Sequence, residues 1–202
     1  MDVGTRARIL RDVAQVFNTR GYAGTSMSAV LAATGLQKGG VYNHFASKEA
    51  LAVAAFDYQV EVIAERFEQA LAGVAGAVAR LQVIVAVIGA LAADPVFAGG
   101  CPVLNTAVEA DDAHPALKVR AQETMTGWLR LVGSIVKEGI RDGEICSDTD
   151  SREIASVVVA TLEGAVMMSK LCDDPVHMVR AVNHLKEHLK SLALVGSERS
   201  GA

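Results

Sequence analysis

The side chains best equipped for chemistry in this sequence lie between positions 37 and 48. They are hydrogen-bonding or cationic groups, namely Gln37, Lys38, Tyr42, Asn43, His44 and Lys48. Three apolar residues, Leu36, Val41 and Phe45, recur among them at about one helical turn. This spacing predicts a short helix whose apolar side faces inward and whose outer side presents amide, phenol, imidazole and ammonium groups. Such a face is suited to contacting base edges and phosphates of a nucleic acid.

Two consecutive glycines, Gly39 and Gly40, stand near the start of this short helix. Each glycine costs a helix about 1 kcal/mol relative to alanine. The cost is explained if the backbone must approach another molecule closely, and a DNA phosphate is the natural candidate.

Lys48 lies at the start of the next helical pattern, directly after Ser47, which is a suitable N-cap. A cation in the first turn opposes the helix dipole by about 0.3 to 1 kcal/mol, whereas a bound anion reverses that sign. Helix N-termini bind phosphate readily, and a lysine strengthens such a site. Lys48 is therefore predicted to hold a phosphate. The alternative is that Lys48 is a solvated surface charge and Tyr42 a packing aromatic.

The element that positions this cluster begins at Thr25 and Ser26, hydroxyl residues suited to capping a helix. An apolar pattern of Met27, Val30 and Leu31 follows and stops at Gly35. Glycine adopts the left-handed backbone conformation that a sharp turn between two helices requires. The sequence therefore predicts a helix-turn-helix, supported by a first helix over residues 5–20.

Three stretches, GYAGTSMSAVLAATGL, KGGVYNHF and SKEAL, follow one another between residues 21 and 51. In order and spacing they resemble the TetR family of bacterial transcriptional regulators. The resemblance implies that residues 37–44 form a recognition helix in the DNA major groove, that Thr25 contacts the DNA backbone and that Lys48 holds a phosphate. The implied contact residues are Thr25, Gln37, Lys38, Gly39, Gly40, Tyr42, Asn43, His44 and Lys48. Gly40 and Asn43 depart from the residues more common in the family, so base preference does not transfer.

Charge is distributed unevenly along the chain, whose formal net charge is −4. Residues 1–60 hold six Lys/Arg and four Asp/Glu, a net +2, whereas residues 61–202 hold thirteen and nineteen, a net −6. The positive charge thus accompanies the helix-turn-helix, and the acidic remainder discourages DNA from binding elsewhere.

The remainder of the chain reads as helical, and we expect an all-α protein of about nine helices. The expected division is a DNA-binding domain over residues 1–51 and a helical ligand-binding and dimerisation domain over residues 52–202. Residues 74–93 are almost wholly apolar and raise the alternative of a membrane span. Arg80 and Gln82 interrupt that stretch, which favours a core helix and no membrane association. Further helices are expected over residues 102–110, 115–139, 150–172 and from 175 onward, followed by a frayed tail, SERSGA.

The last two predicted helices are amphipathic and leave an apolar face that a second copy of the chain could cover. In the TetR family these two helices form the dimer. A recognition helix reads only a few base pairs, so two copies about 34 Å apart, or a multiple of that distance, are expected on an inverted-repeat site in double-stranded DNA. The expected assembly is a homodimer.

The resemblance also implies a pocket for a small-molecule effector from about residue 73 onward, and a repressor that the effector releases from its operator. Candidate pocket residues are Phe97, Cys101, Met125, Trp128, Glu163, Met167 and Met168. For any single one of them, core packing is the favoured interpretation. Because charges are few and small apolar side chains are many in the helix over residues 74–93, we expect an apolar ligand, with Glu163 as a possible polar anchor. No cofactor or metal is expected.

Cys101 offers an alternative trigger, because its place in GGCPV, ahead of a short helix, would lower the pKa of a thiol and make it a redox or electrophile sensor. The three cysteines form no close metal-ligand pair, and no spacing of cysteine and histidine matches an enzyme's nucleophile or metal motif. An enzyme is therefore not expected. The remaining rival class is a helical interaction protein that binds no DNA. The N-terminus carries no signal-peptide pattern, so a cytoplasmic protein is expected.

Overall fold

A computed structural model describes residues 3–110 and 114–194. The predicted loop at residues 111–113 and the tail SERSGA lie outside the described residues. Within those ranges the chain forms nine α-helices and one isolated antiparallel bridge, Ile145 to Ala193. The helices are α1 Val3–Arg20, α2 Met27–Thr34, α3 Lys38–Tyr42, α4 Lys48–Leu71, α5 Ala77–Ala93, α6 Pro102–Ala110, α7 Pro115–Arg141, α8 Ser151–Cys172 and α9 Val176–Ser191. The prediction of an all-α fold is confirmed.

Most helix ends lie where the local sequence places them. Helix α6 has its predicted bounds, and the carboxylate of Asp150 accepts hydrogen bonds from the backbone N–H groups of Arg152 and Glu153 at the start of α8. Helix α5 begins three residues later than predicted, since Gly73 and Gly76 adopt positive φ angles of 75° and 86°. The N–H of Ala77, at the start of α5, has no partner within the helix and donates to a carboxylate oxygen of Glu144 at 2.5 Å.

Helix α3 is shorter than the predicted recognition helix over residues 37–44. Gln37 has an extended backbone (φ −74°, ψ 160°) and acts as the N-cap, so it lies just outside the helix. At the other end, the N–H of His44 pairs with the Val41 carbonyl, a tighter turn that closes the helix after Tyr42.

The chain divides into two compact units. The first unit comprises Met1–Ala64 and Val96–Thr124, and the second comprises Glu65–Pro95 and Met125–Ala202. This division differs from the expected boundary after residue 51. The reason is that α6 and the segment before it pack in the first unit, where hydrogen bonds connect them to α1.

The core of the first unit supports the helix-turn-helix. It brings together apolar residues of α1, α2 and α4 with two residues at the end of the helix-turn-helix: Ile9, Leu10, Val13, Val30, Val41, Phe45, Leu51 and Ala55. The α1 members recur at three- and four-residue steps, as the predicted apolar stripe requires. Burial of this stripe fixes α3 against α1 and thereby sets which residues face outward.

The second unit is a helical core in which α5, α8 and α9 pack together. Helix α8 alone among the described helices is long and apolar enough to cross a membrane by length and composition, and nine of its 22 residues are buried in the protein. Helix α5, the stretch for which a span was considered, has 17 residues and falls short of that length.

Candidate nucleic-acid interface

The joint between α2 and α3 is the glycine turn that the sequence predicts. Ser26 caps α2 by accepting a hydrogen bond from the N–H of Ala29 at 3.2 Å. Gly35 adopts the left-handed conformation (φ 65°, ψ 13°) and donates its N–H to the Leu31 carbonyl at 2.9 Å. A side chain at this position would be strained, so glycine is required by the backbone here.

Helix α3 presents its polar residues outward, as predicted. Val41 and Phe45 are buried in the core of the first unit, which turns Gln37, Lys38 and Asn43 to the surface. Tyr42 is 37% exposed, and the ammonium of Lys38 lies 5.6 Å from its ring centroid. The outer face of α3 and its two cap residues therefore combines amide, phenol and ammonium groups, while the apolar Val41 is buried.

The two glycines of α3 differ in what their surroundings allow. A Cβ built at Gly39 meets no atom within 4 Å, whereas one built at Gly40 lies 3.4 Å from Cβ of Leu36. Neither glycine has a positive φ angle. Neither steric crowding nor backbone conformation within the fold thus requires glycine at position 39.

Thr25 has no exposed surface, and its hydroxyl donates to the Gly21 carbonyl at 2.6 Å. In this conformation it closes the turn between α1 and α2 and offers nothing for DNA to contact, which corrects the implied backbone contact. His44 is half-buried, and its Nδ1 is a buried atom without a hydrogen-bond partner among the described residues. His44 consequently presents only part of its ring at the surface.

Lys48 lies in the first turn of α4, which Ser47 caps by accepting from the N–H of Ala50 at 3.0 Å. Its Nζ donates to the Tyr22 carbonyl at 2.6 Å and lies 4.2 Å from the Tyr22 ring centroid. An ammonium has three N–H donors, so this bond leaves capacity for an anion. The contact with Tyr22 was not predicted, since 26 residues separate the two positions.

A carboxylate that sequence reasoning missed lies behind the same turn. Glu109 of α6 accepts hydrogen bonds from the backbone N–H groups of Tyr22, at 2.8 Å, and Ala23, at 2.7 Å. Burial, followed by the negative charge of Glu49, raises the pKa of the Tyr22 phenol above its usual value. No sequence pattern signals the Glu109 contact, because it joins positions 86 and 87 residues apart.

Arg6 extends the cationic surface of this unit from the side of α1. Its guanidinium carbon lies 5.2 Å from the ring centroid of Phe45, the apolar residue that anchors the end of the recognition element. Arg6 is exposed, so its charge remains available at the surface.

The seven candidate pocket residues are divided between the two units. Phe97 and Cys101 belong to the first unit, where the Phe97 ring packs edge-on against Tyr58. Met167 and Met168 are 51% and 43% exposed, so the prediction that they form cavity walls is wrong. Helix α8 is buried on its opposite side, which explains why neither methionine turns inward.

Trp128 and Glu163 do line a common space, a cleft in the second unit. Its other walls are apolar: Phe67, Ile84, Ile88, Leu131, Val132, Val158, Val159 and Leu162. The cleft measures about 370 Å³, part of which is open solvent. Met125 is half-buried in the same unit but is not among the residues that line the cleft.

Two family models match this chain. One, described as bacterial regulatory proteins of the tetR family, covers residues 9–55, and the other, described as a tetracyclin repressor-like C-terminal domain, covers residues 77–185. The chain belongs to the TetR family. It is a DNA-binding transcriptional regulator, and the matched families are regulators rather than enzymes. Repression and release by a ligand are typical of the TetR family.

A similar protein and two solved structures agree with this assignment. A TetR transcriptional regulator from Chloroflexus aurantiacus is 40% identical, with a TM-score of 0.90 over 94% of this chain and 96% of that one. The regulator LmrA of Bacillus subtilis is 25% identical over 82% of this chain and 86% of its own length. A cysteine mutant of the TetR-family regulator CifR, 23% identical, shares the fold with a TM-score of 0.81 over 90% of this chain and 94% of that one, and was solved with 26-bp operator DNA.

Proposed function

We propose that this TetR-family regulator binds an inverted-repeat operator as a homodimer and represses the promoter in which that operator lies. The observation that carries the proposal is the outer face of α3. Lys38, Tyr42 and Asn43 project from a helix whose opposite side is buried, and Gly39 leaves the backbone open to a close approach. A rigid, polar and cationic helix face of this kind is what major-groove reading requires.

The proposed DNA contacts differ in kind from residue to residue. Gln37, Lys38, Tyr42 and Asn43 read base edges or adjacent phosphates, while the exposed part of His44 lies at the edge of the same surface. Gly39 and Gly40 let the backbone lie against the DNA. Lys48 holds a phosphate with the donors that its bond to Tyr22 leaves over. Thr25 contributes through the turn that it closes.

The dimer interface is proposed on α8 and α9. Exposed apolar side chains concentrate there: Val157, Met167, Met168 and Leu171 on α8 and Val179 on α9. Gly164 lies between them on α8, and a Cβ at that position meets nothing within 4 Å, so a helix of a second copy can approach closely. Apolar side chains clustered in this way mark an interaction surface. Met167 and Met168, which do not line the cleft, are thus proposed to lie in this interface.

The effector site is proposed in the cleft between Trp128 and Glu163. One carboxylate in an otherwise apolar lining favours a largely apolar ligand that carries a hydrogen-bond donor or a positive charge. Such a ligand releases DNA only if it binds the DNA-free conformation more tightly. A coupling of about 1 to 3 kcal/mol changes operator affinity roughly 5- to 150-fold.

Cys101 supports a second trigger, sensing of oxidants or electrophiles. It directly precedes α6, it is partly exposed, and its carbonyl accepts the N–H of Asn105 in the first turn of that helix. The partial positive charge of a helix N-terminus favours the thiolate, which is the reactive form. Replacing Cys101 with serine should abolish release of DNA by peroxide or an electrophile; unchanged release would dismiss this trigger.

The test of the main proposal is selection from a random double-stranded DNA pool with the purified protein. Lys38→Ala and Tyr42→Ala are carried in parallel, with Lys137→Ala as the matched control, because Lys137 is exposed on α7 in the second unit. We expect an inverted repeat that the wild type and the control enrich and that both α3 variants lose. If no sequence is enriched even by the wild type, the proposed binding of an inverted repeat by the protein without a co-ligand is wrong.

A further inference from the structure

The peptide group between Tyr22 and Ala23 is held at both ends by opposite charges. Its N–H, at Ala23, donates to Oε1 of Glu109 at 2.7 Å, and its carbonyl, at Tyr22, accepts from Nζ of Lys48 at 2.6 Å. The other oxygen of Glu109 accepts the N–H of Tyr22 at 2.8 Å. Glu109 and Lys48 therefore bind the two ends of one peptide group without contacting each other in any recorded ion pair.

Polarisation strengthens this arrangement. A carboxylate at the N–H end and an ammonium at the carbonyl end both align with the peptide dipole, so each hydrogen bond reinforces the other. The turn is also shaped for the carboxylate. Gly21 has a φ of 72°, and a Cβ at that position would lie 2.5 Å from Oε2 of Glu109. Only glycine leaves room for the carboxylate this close to the turn.

We propose that Glu109 is a positioning residue for DNA binding, which places the ammonium of Lys48 at the phosphate by fixing the peptide on which that ammonium rests. The proposal rests on the proposed function, since it takes Lys48 as a phosphate contact. Because Glu109 belongs to α6, any shift of α6 away from the turn breaks both of its bonds. The position of α6 thus determines, through Glu109 and the peptide it binds, where the ammonium of Lys48 lies.

Other bonds anchor α6 in the first unit, so a substitution at Glu109 tests the peptide grip rather than the fold. Nδ2 of Asn105, also on α6, donates to the backbone carbonyl and to Oδ1 of Asn18 at 3.2 and 3.0 Å. Glu109→Gln leaves these bonds and the side-chain shape in place. It replaces one accepting oxygen with an amide nitrogen that cannot accept an N–H.

The experiment compares Glu109→Gln with Glu61→Gln, a control that removes the same charge from an exposed position of α4 in the same unit. Operator affinity is measured over a range of salt concentrations, and amide hydrogen exchange is followed at Tyr22 and Ala23. Removing a negative charge alone leaves DNA affinity unchanged or slightly higher. We therefore expect Glu61→Gln to bind as the wild type does, and Glu109→Gln to bind about tenfold more weakly.

Two further readouts separate positioning from a merely structural role. The slope of log affinity against log salt should become shallower by about 0.9 in Glu109→Gln, as for the loss of one phosphate contact. In a Lys48→Ala background, Glu109→Gln should lower operator affinity less than twofold. The exchange of the Tyr22 and Ala23 amides should accelerate in Glu109→Gln, and the salt dependence of Glu61→Gln should match that of the wild type.

The proposal is overturned if Glu109→Gln binds the operator within fivefold of Glu61→Gln, if its salt slope is unchanged, or if the two amides exchange as before. A fall in melting temperature with normal DNA binding also overturns it, because that result assigns Glu109 to stability alone. If the wild type itself binds no operator, the proposed function fails together with this inference. If the wild type binds the operator but the results for Glu109→Gln differ from those expected, the inference about Glu109 is wrong and the proposed function stands.

Discussion

Nδ2 of Asn105 bonds both the backbone carbonyl and the side-chain oxygen of Asn18, near the end of α1, at 3.2 and 3.0 Å. Asn18 in turn donates from its own Nδ2 to the carbonyls of Ala98 and Gly100, at 2.9 and 3.0 Å. These bonds satisfy a buried amide at both its oxygen and its nitrogen. They also explain why the segment from residue 96 belongs to the same compact unit as α1.

Removing the Asn18 side chain should destabilise the protein, because Asn18→Ala leaves the Ala98 and Gly100 carbonyls and part of Asn105 without their partners. These hydrogen bonds are part-buried, and each one that is lost costs about 0.5 to 1.5 kcal/mol. The melting temperature should fall by several degrees, since about 1 kcal/mol shifts it by roughly 2 to 4 °C in a chain of this size. The matched control, Asn183→Ala, changes an exposed asparagine of α9 and should melt as the wild type does. Equal melting of the two variants would contradict the assigned network.

The helix-turn-helix and most helix ends could be predicted because the forces that set them are local. Gly35 ends α2 through its own backbone conformation, and Asp150 caps α8 two and three residues ahead. The outward face of α3 follows from Val41 and Phe45 in the same way. In each case the interacting groups lie within about one helical turn of sequence, where spacing is informative.

The hydrogen bonds from α6 to the end of α1 and to the α1–α2 turn could not be predicted, because they depend on tertiary packing. Glu109 and Asn105 reach their partners across more than 80 residues, and nothing in a helical pattern states which polar side chain will meet which backbone group. Pocket residues on α8 could not be predicted from spacing for a related reason. Apolar spacing on α8 marks the buried side only if the facing elements are known, so Met167 was placed in a cavity although it lies on the surface.

Gly39→Ala should weaken operator binding without destabilising the protein. The new methyl group meets nothing within the protein, and alanine favours the helix by up to about 1 kcal/mol. If DNA lies against the backbone at this position, the methyl group enters that contact and affinity should fall about tenfold or more. Gly127→Ala is the control, because a Cβ there on α7 also meets nothing within 4 Å. Binding is measured by fluorescence anisotropy on the selected operator. Full affinity in Gly39→Ala would show that DNA does not approach the backbone here.

Tyr22 should titrate above the usual phenol pKa of about 10, because burial foremost, and then the charge of Glu49, disfavour the phenolate. The folded state thus holds this proton more tightly than the unfolded state. Its contribution to stability is complete below about pH 10 and is lost as pH rises through the raised pKa. Phenolate absorbance followed against pH should lose a component above pH 10 in Tyr22→Phe, which keeps the aromatic ring under Lys48. A lost component centred at or below about pH 10 would refute the shift.

Leu171→Glu should separate the proposed dimer. Leu171 is 80% exposed near the end of α8 and belongs to the apolar face that a second copy is proposed to cover. Burying a carboxylate there without a partner is costly, and two such charges face each other across a two-fold axis. Sedimentation at micromolar concentration should show a dimer for the wild type and a monomer for the variant. Operator affinity should fall steeply, because one head contacts only half of the inverted repeat. Val108→Glu, at an equally exposed valine of α6 in the first unit, should remain dimeric. A dimeric Leu171→Glu would move the interface away from this part of α8, and a wild type that is monomeric yet binds DNA tightly would remove the dimer altogether.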